Sequence, residues 1–420
     1  MSPAFGLEHI RAALKALGDP QDRIPRAVHV TGTNGKGSTG AFLRGVAEAS
    51  GLGVHVFTSP HLLRVNERIR VAGELVGDDQ LLQALDEVAF AGASLTYFEA
   101  LTAAAFLLFA RSEADLSIIE VGAGGALDAT NVMAKPAVCV VTPISRDHEA
   151  MFGLSGEAAI ARLKAGIMRE GVPVVVAEQT PIVMGVLREE ARKAGASVLA
   201  CGKDWRAGWD GEAFEYVSGD VRVRTPWLGL RGRHQAINAG TACAVAQALG
   251  DDRIDAVTMA GGLREAVWPA RMQRLGDGPA TRGFNGEIWV DGAHNPGGAG
   301  VLATCLRDLP PPDDAPERTV LVIAMQAAKD ASGVVSALAP AVDEVIACAL
   351  PDSGGQEGGI SADAEELATI ARALGKSARA AGSFEDALRM ARSPRNGRIV
   401  VAGSLYLCGA AMRANGEQAV

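Results

Sequence analysis

From residue 27 onward, short runs in which nearly every position is apolar alternate with longer stretches of mixed character. The runs 27–30, 54–58, 116–121, 138–142 and 172–177 read as strands buried on both faces, as in a parallel sheet covered by helices. Between them, 38–49, 98–110, 156–168 and 182–193 read as helices, and the repeated strand–helix order predicts a doubly wound α/β unit. Over 213–224 the period changes. Phe214, Tyr216, Val221 and Val223 alternate with polar residues around Ser218-Gly219-Asp220, which predicts an antiparallel hairpin. Two helices, 235–249 and 253–265, follow, and Trp268-Pro269-Ala270-Arg271 reads as a hinge. A second α/β series begins at 288–290 and continues through 320–324, 344–349 and 399–402, with a polar, glycine-rich loop at 352–359. The pattern divides the chain into a larger domain, 1–270, and a smaller Rossmann-like α/β domain, 275–420.

Composition narrows the function. The chain has 420 residues, 48% of them hydrophobic, with 40 Lys plus Arg against 49 Asp plus Glu and a net charge of −9. That balance argues against a nucleic-acid partner, which favours a basic surface, but a few local donors suffice for an anionic small molecule. The fifty glycines suit a fold with many strand–helix turns. Six cysteines stand singly, without a paired motif, which predicts reduced thiols and a cytoplasmic protein. Residues 1–12 carry Glu8, His9 and Arg11 and no apolar core of a secretion signal. The longest apolar run, 100–110, is too short to cross a bilayer, so no membrane role is expected.

The strongest local signal is Val28-His-Val-Thr-Gly-Thr-Asn-Gly-Lys-Gly-Ser-Thr39, a strand, a glycine-rich turn and a helix start. Gly32, Gly35 and Gly37 let the backbone close around an anion, and the N–H groups opening the helix point at it. Lys36 supplies positive charge for the β/γ-phosphates, and Ser38 offers a hydroxyl to Mg²⁺. Two residues, Thr33 and Asn34, separate Gly32 from Gly35, and Gly37 intervenes before Ser38, so the spacing departs from the ordinary phosphate loop. Glu120 ends an apolar run at the edge where α/β sheets place ligands, and its carboxylate suits Mg²⁺.

That unusual spacing resembles the Mur ligase superfamily, and within it the folylpolyglutamate synthase/dihydrofolate synthase branch. The resemblance continues in order through Thr58-Ser-Pro-His-Leu62, Asn66-Glu-Arg-Ile69, Ser94-Leu-Thr-Tyr-Phe-Glu99 and the stretch from Glu120 to Asn131. Asp147-His148, Lys164-Ala-Gly-Ile167, His234-Gln-Ala-Ile-Asn238, Asp291-Gly-Ala-His-Asn-Pro296 and Gly403-Ser-Leu-Tyr406 complete it.

The resemblance implies a P-loop ATPase fold and an ATP-dependent ligase. ATP phosphorylates a folate-type carboxylate, dihydropteroate or a folyl-polyglutamate, and the amine of L-glutamate displaces phosphate from the acyl phosphate. It also implies two Mg²⁺ ions, one shared by Ser38, Ser59, Glu120 and the nucleotide and the other by Glu120 and His148, with Lys164 carbamylated as a further metal ligand. By the same resemblance Thr33, Asn34, Gly35, Lys36, Gly37, Ser38, Asn238, Arg271 and Asp291 contact ATP, and Lys36, His148 and Lys164 carry the chemistry. Thr96, Tyr97, Phe98, Glu99, Leu127, Asp128 and Ala129 are expected to line the pteroate pocket of a monomeric enzyme. His294, Lys329 and Asp330 lie in family-like segments without an assigned role.

Several positions depart from the family pattern. Ala123 and Ala126 stand where Leu and Arg are usual, Leu163 where a glutamate precedes the carbamylated lysine, and Arg146 where an aliphatic residue precedes Asp147. Pro3 to Phe5 stand in the stretch that, by the resemblance, helps bind pteroate. Removing an arginine at 126 removes a charge and a fork of donors. A nucleotide-binding homologue with weakened catalysis, or a Mur-type ligase for another carboxylate, are therefore the alternatives.

Overall fold

A computed structural model of the chain describes residues 6–92, 94–146, 152–312, 315, 317–351, 360–395 and 397–419. Pro3 to Phe5, the Asp147-His148 pair and the 352–359 loop lie outside them. The fold is mixed α/β with mostly parallel sheets, as expected, and it divides into two compact units. One comprises Met1–His61 and Val65–Trp268; the other comprises Leu62–Arg64 and Pro269–Val420.

The first unit is built on an eight-stranded sheet. Its strands are β1 (Arg26–Thr31), β2 (Val54–Phe57), β3 (Ile69–Val71), β4 (Glu74–Leu75), β5 (Leu116–Glu120), β6 (Val138–Val141), β7 (Pro173–Val176) and β8 (Ser197–Ala200), in the order β4-β3-β2-β5-β1-β6-β7-β8. β2, β5, β1, β6, β7 and β8, neighbours in that order, pair in parallel, and β3 and β4 add an antiparallel edge next to β2. Helices α1 (Glu8–Ala16), α2 (Lys36–Ala49), α3 (Asp78–Phe90), α4 (Tyr97–Arg111) and α5 (Glu157–Ala165) cover it, with further helices at Pro181–Ala194, Gln235–Leu249 and Ala256–Glu265.

The core follows the strand period. Val28 and Val30 of β1 pack with α2 and the two helices after residue 234, while α1, α3 and α4 bury Phe57 and Ile119 on the opposite face. The antiparallel hairpin is β10 (Phe214–Ser218) with β11 (Val221–Thr225), and β9 (Arg206–Trp209) adds a third strand that four residues of weak alternation did not reveal.

The second unit holds a six-stranded sheet of β12 (Gln273–Arg274), β13 (Glu287–Val290), β14 (Thr319–Ile323), β15 (Glu344–Ala347), β16 (Ser377–Ala380) and β17 (Arg398–Ala402). Its order is β12-β13-β17-β14-β15-β16, with only β12 antiparallel, and apolar clusters lie on both faces. No helix among the described residues is long and apolar enough to cross a membrane.

Candidate active site

β1 sits between β5 and β6, and the chain leaves it in one direction for β2 and later returns on the other side for β6. Such a reversal opens a crevice beyond the carboxyl ends of the strands, and the glycine turn fills it. Gly35, at φ 88°, starts α2 without a side-chain cap. A side chain there would be strained in that backbone region and would strike Asn238 on the neighbouring helix. A Cβ at Gly37 would lie 2.7 Å from Trp268 Nε1, so the first turn of α2 is roofed closely on that side.

The turn is fastened from below. The Thr33 and Asn34 N–H groups donate to the Pro143 carbonyl at 3.0 and 3.1 Å. Thr33 Oγ1 donates to Ser145 O at 3.0 Å, and Asn34 Nδ2 donates to Ser145 Oγ at 3.2 Å. Lys36 folds back over its own loop, 3.4 Å from the Gly32 carbonyl and 3.9 Å from Glu120 Oε1. Glu120 ends β5, and Ser38 is buried in the first turn of α2. Phe57 of β2 pairs with Ile119 of β5, which puts Ser59 two residues past the end of β2 at the same sheet edge. Lys164, near the end of α5 and 5% exposed, donates from Nζ to the Gly32 carbonyl at 2.8 Å. Residues 132 positions apart thus meet on one peptide group.

No cluster of three His, Cys, Asp or Glu side chains fit to enclose a metal occurs among the described residues. What is present, one buried carboxylate and serine hydroxyls beside a phosphate cradle, matches Mg²⁺. That ion keeps waters and binds through one or two carboxylates plus substrate phosphates. The donor set fits; His148 lies outside the described residues.

The stretch after β5 forms a tight loop against α5. The Ala126 N–H donates to the Leu163 carbonyl at 3.0 Å, so two positions that depart from the family pattern are neighbours. Asn131 Nδ2 donates to the carbonyls of Ala126 and Gly166, and Arg169 donates to Asn131 Oδ1 at 2.6 Å. Asp128 is turned into this loop. Its carboxylate accepts from Ala123 N at 2.9 Å, Thr130 N at 3.0 Å and Thr130 Oγ1 at 2.5 Å. Burial raises its pKa, opposed by these hydrogen bonds.

Leu127 projects outward at 43% exposed, while Ala129 is buried. Thr96 and Glu99 form a capping box at the start of α4, each accepting from the other's backbone N–H. Tyr97 stands 40% exposed with the Arg68 guanidinium 5.6 Å from its ring centre, and Phe98 packs beside Gly122 and Phe57.

Asn238 donates to Gln235 Oε1 at 2.8 Å on the helix flanking Gly35. In the second unit, Asp291 accepts from Met272 N at 2.8 Å and Ala293 N at 2.9 Å. Arg271 sits between Ala270 and Met272, which have φ of 55° and 44°. Non-glycine residues in that region cost about 1–2 kcal/mol each, and the Asp291 hydrogen bond holds the turn in place. His294 Nδ1 lies 2.8 Å from the Gly292 carbonyl, and Asp330 caps a helix by accepting from Gly333 N at 2.9 Å.

Asn131 and Arg169 were not singled out by sequence reasoning, although Asn131 closes the Glu120–Asn131 stretch; no local pattern pairs residues 38 apart. Two family models match this chain: the Mur ligase middle domain over residues 30–246 and the dihydrofolate synthetase C-terminal domain over residues 277–414. The chain belongs to the dihydrofolate synthase/folylpolyglutamate synthase family of Mur ligases. A structure of E. coli FolC in complex with DHPP and ADP is similar at TM-score 0.86 and 30% identity, covering 98% of this chain and 94% of that one. A bifunctional folylpolyglutamate synthase/dihydrofolate synthase with Mn, AMPPNP and L-glutamate bound gives TM-score 0.82 at 30% identity, covering 97% and 94%. A probable bifunctional folylpolyglutamate synthase/dihydropteroate synthase of Halobacterium salinarum is 32% identical over 96% of this chain and 49% of its own length. The chain thus spans about half of that relative. Within the family, the phosphate turn, Glu120 and Lys164 are the members of the expected site that the described structure brings around one loop.

Proposed function

We propose that this protein is an ATP-dependent carbon–nitrogen ligase that joins L-glutamate to a folate-type carboxylate, dihydropteroate or a folyl-polyglutamate, through an acyl phosphate. The observation that carries the reading is the convergence of Lys36, Glu120 and Lys164 on the turn that begins at Gly32. Two anions must meet there, and positioning with charge neutralisation is most of what phosphoryl transfer asks of a protein.

In this reading the turn from Thr33 to Ser38 binds the triphosphate, Lys36 moves from its own loop carbonyls onto the β/γ-phosphates, and Asn238, Arg271 and Asp291 bind the nucleotide. Ser38, Ser59, Glu120 and His148 would hold two Mg²⁺ ions. Bound there, magnesium would neutralise charge on the phosphates. Lys164 Nζ would first lose its ammonium proton, a loss that burial favours; the neutral amine would then add to CO₂ and release a second proton, so that a carbamate oxygen anion replaces a cation beside Gly32. Thr96 to Glu99 and Leu127 to Ala129 would form the acceptor side. Thr96, Glu99 and Asp128 act there by shaping α4 and the loop, because their side chains are engaged within those elements. The six thiols are unpaired, in keeping with a cytoplasmic enzyme, and the family resemblance leads us to expect a monomer.

The test is ADP release with Mg²⁺, ATP, L-glutamate and dihydropteroate, with tetrahydrofolate and a nucleotide-linked muramyl acid as alternative acceptors. Stimulation by dihydropteroate or tetrahydrofolate is expected. A rate equal to that with ATP alone for every acceptor would leave the weakened homologue suggested by Ala126 and Leu163. Stimulation by the muramyl acid alone would reassign the substrate.

A further inference from the structure

His29 and Thr31 lie two residues apart on β1, so they project from one face of the strand, opposite Val28 and Val30. Both reach the loop after β5. Thr31 Oγ1 donates to the Gly124 carbonyl at 3.0 Å. His29 Nε2 lies 2.9 Å from Thr130 Oγ1, and Thr130 Oγ1 lies 2.5 Å from Asp128 Oδ1. His29 is 1% exposed and Thr130 is fully buried. A threonine hydroxyl has one proton, and the carboxylate is its strongest nearby acceptor. His29 must then be the donor to Thr130, which places a proton on Nε2. Burial, aided by the Arg169 charge, pushes the imidazole down to about 3, so the ring is neutral at physiological pH.

Nothing in the phosphate chemistry uses His29. A buried imidazole is costly unless paired, and an apolar residue would fill the space without that cost. Three residues beyond it, the same strand becomes the phosphate turn at Gly32. We propose that His29, acting through Thr130, is a positioning residue that ties the 122–130 loop to the phosphate-loop strand. It holds residues 127–129 in register for the acceptor carboxylate. The two loops that must bring a phosphate and a carboxylate together then hang from one strand. This rests on the reading above that residues 127–129 serve the acceptor.

The test uses the full chain and five variants. His29→Phe and Thr130→Val keep volume and remove the donor and the hydroxyl. His29→Gln and Thr130→Ser keep them, and His29→Phe/Thr130→Val completes a cycle. His29→Phe and Thr130→Val are each expected to raise KM for dihydropteroate about tenfold with KM for ATP within twofold, and the double variant to match either single. His29→Gln and Thr130→Ser should stay within twofold of the parent. An equal rise in both KM values, additive effects in the double variant, or a His29→Gln as impaired as His29→Phe would overturn the assignment. Two readouts need no turnover: ¹⁵N NMR of labelled histidines, expected to show the Nε2–H tautomer for His29, and faster amide exchange over 122–131 in His29→Phe. If both hold and no folate acceptor stimulates ADP release, the ligase reading fails and the link survives; an Nδ1–H tautomer or unchanged exchange sinks the link alone.

Discussion

The two units use the same strand–turn–helix architecture but close their helix starts differently: in the first unit Thr96, Thr180 and Asp255 cap their helices while other starts, Gly35 among them, have no side-chain cap. In the second unit every described α-helix begins on a side chain that accepts from the first turn: Asn295, Asp330, Asp363, Ser383 and Ser404. In the first unit, the helix at the centre of the sheet begins at Gly35, which has no side chain to offer. A helix start leaves N–H groups without intrahelical partners and carries a partial positive charge. Where a serine or aspartate answers them, the helix end is closed. Where glycine stands, an anion can answer them instead. Since Gly77 and Gly156 also start helices without a cap, the comparison teaches that an anion site in such a fold needs both the crevice at the sheet reversal and a helix start there that no side chain closes.

The largest expected effect comes from removing the charge at the open start. Lys36→Ala should lower kcat/KM for ATP by about 10³-fold, the scale of losing one preorganised electrostatic contact to transferring phosphate. ADP release reads it, and a loss below tenfold would detach the site from this helix. Next is closing the start. Gly35→Asp places a carboxylate where the phosphates are expected, in a backbone region that resists a side chain, against Asn238. Nucleotide affinity should fall by about 100-fold, near 3 kcal/mol, as measured by calorimetry with ADP. Unchanged affinity would sink the comparison.

The third effect is on stability. His29 is held near 3 in the fold against 6.5 unfolded, so between those values the unfolded chain binds a proton that the fold does not. Stability from this group is therefore full above about pH 6.5 and is lost on acidification toward pH 3, with a limiting slope of about 1.4 kcal/mol per pH unit. Asp128, raised by burial, acts in the opposite sense: its raised pKa favours the fold as pH falls. His29→Phe should flatten the acid side of the stability profile, measured by urea unfolding between pH 5 and 7.

These contrasts also show what a sequence exposes. The sheets and the phosphate turn were legible because their signals are local: apolar runs for buried strands, and glycines, lysine and hydroxyl within a few positions for the turn. The Thr96-x-x-Glu99 spacing is equally local, and its capping box belongs to the start of α4. Contacts such as Lys164 to Gly32 and His29 to Thr130 span 132 and 101 residues, and no periodicity carries them. The pattern says which face of β1 holds His29 but not what crosses to meet it. Short edge strands such as β4 and β9 were missed because two to four residues do not establish an alternation.

The smallest effect tests the closed ends. Asp363 accepts from Glu365 N at 2.7 Å and Glu366 N at 3.0 Å and lies outside every motif that points to the ligand. If caps in the second unit serve only their helices, Asp363→Ala should cost about 1 kcal/mol. For a unit of this size that is a drop of about 2–4 °C in Tm, with ADP affinity unchanged. Asp363→Asn, which keeps the acceptor oxygen, should recover most of it. The same substitution read by ADP calorimetry completes the contrast with Gly35: adding an oxygen at the open start should weaken nucleotide binding about 100-fold, while removing one at a closed start should leave it untouched. A loss of ADP affinity in Asp363→Ala comparable to that in Gly35→Asp would mean that the closed starts of the second unit also serve the nucleotide, and the distinction between the units would fall.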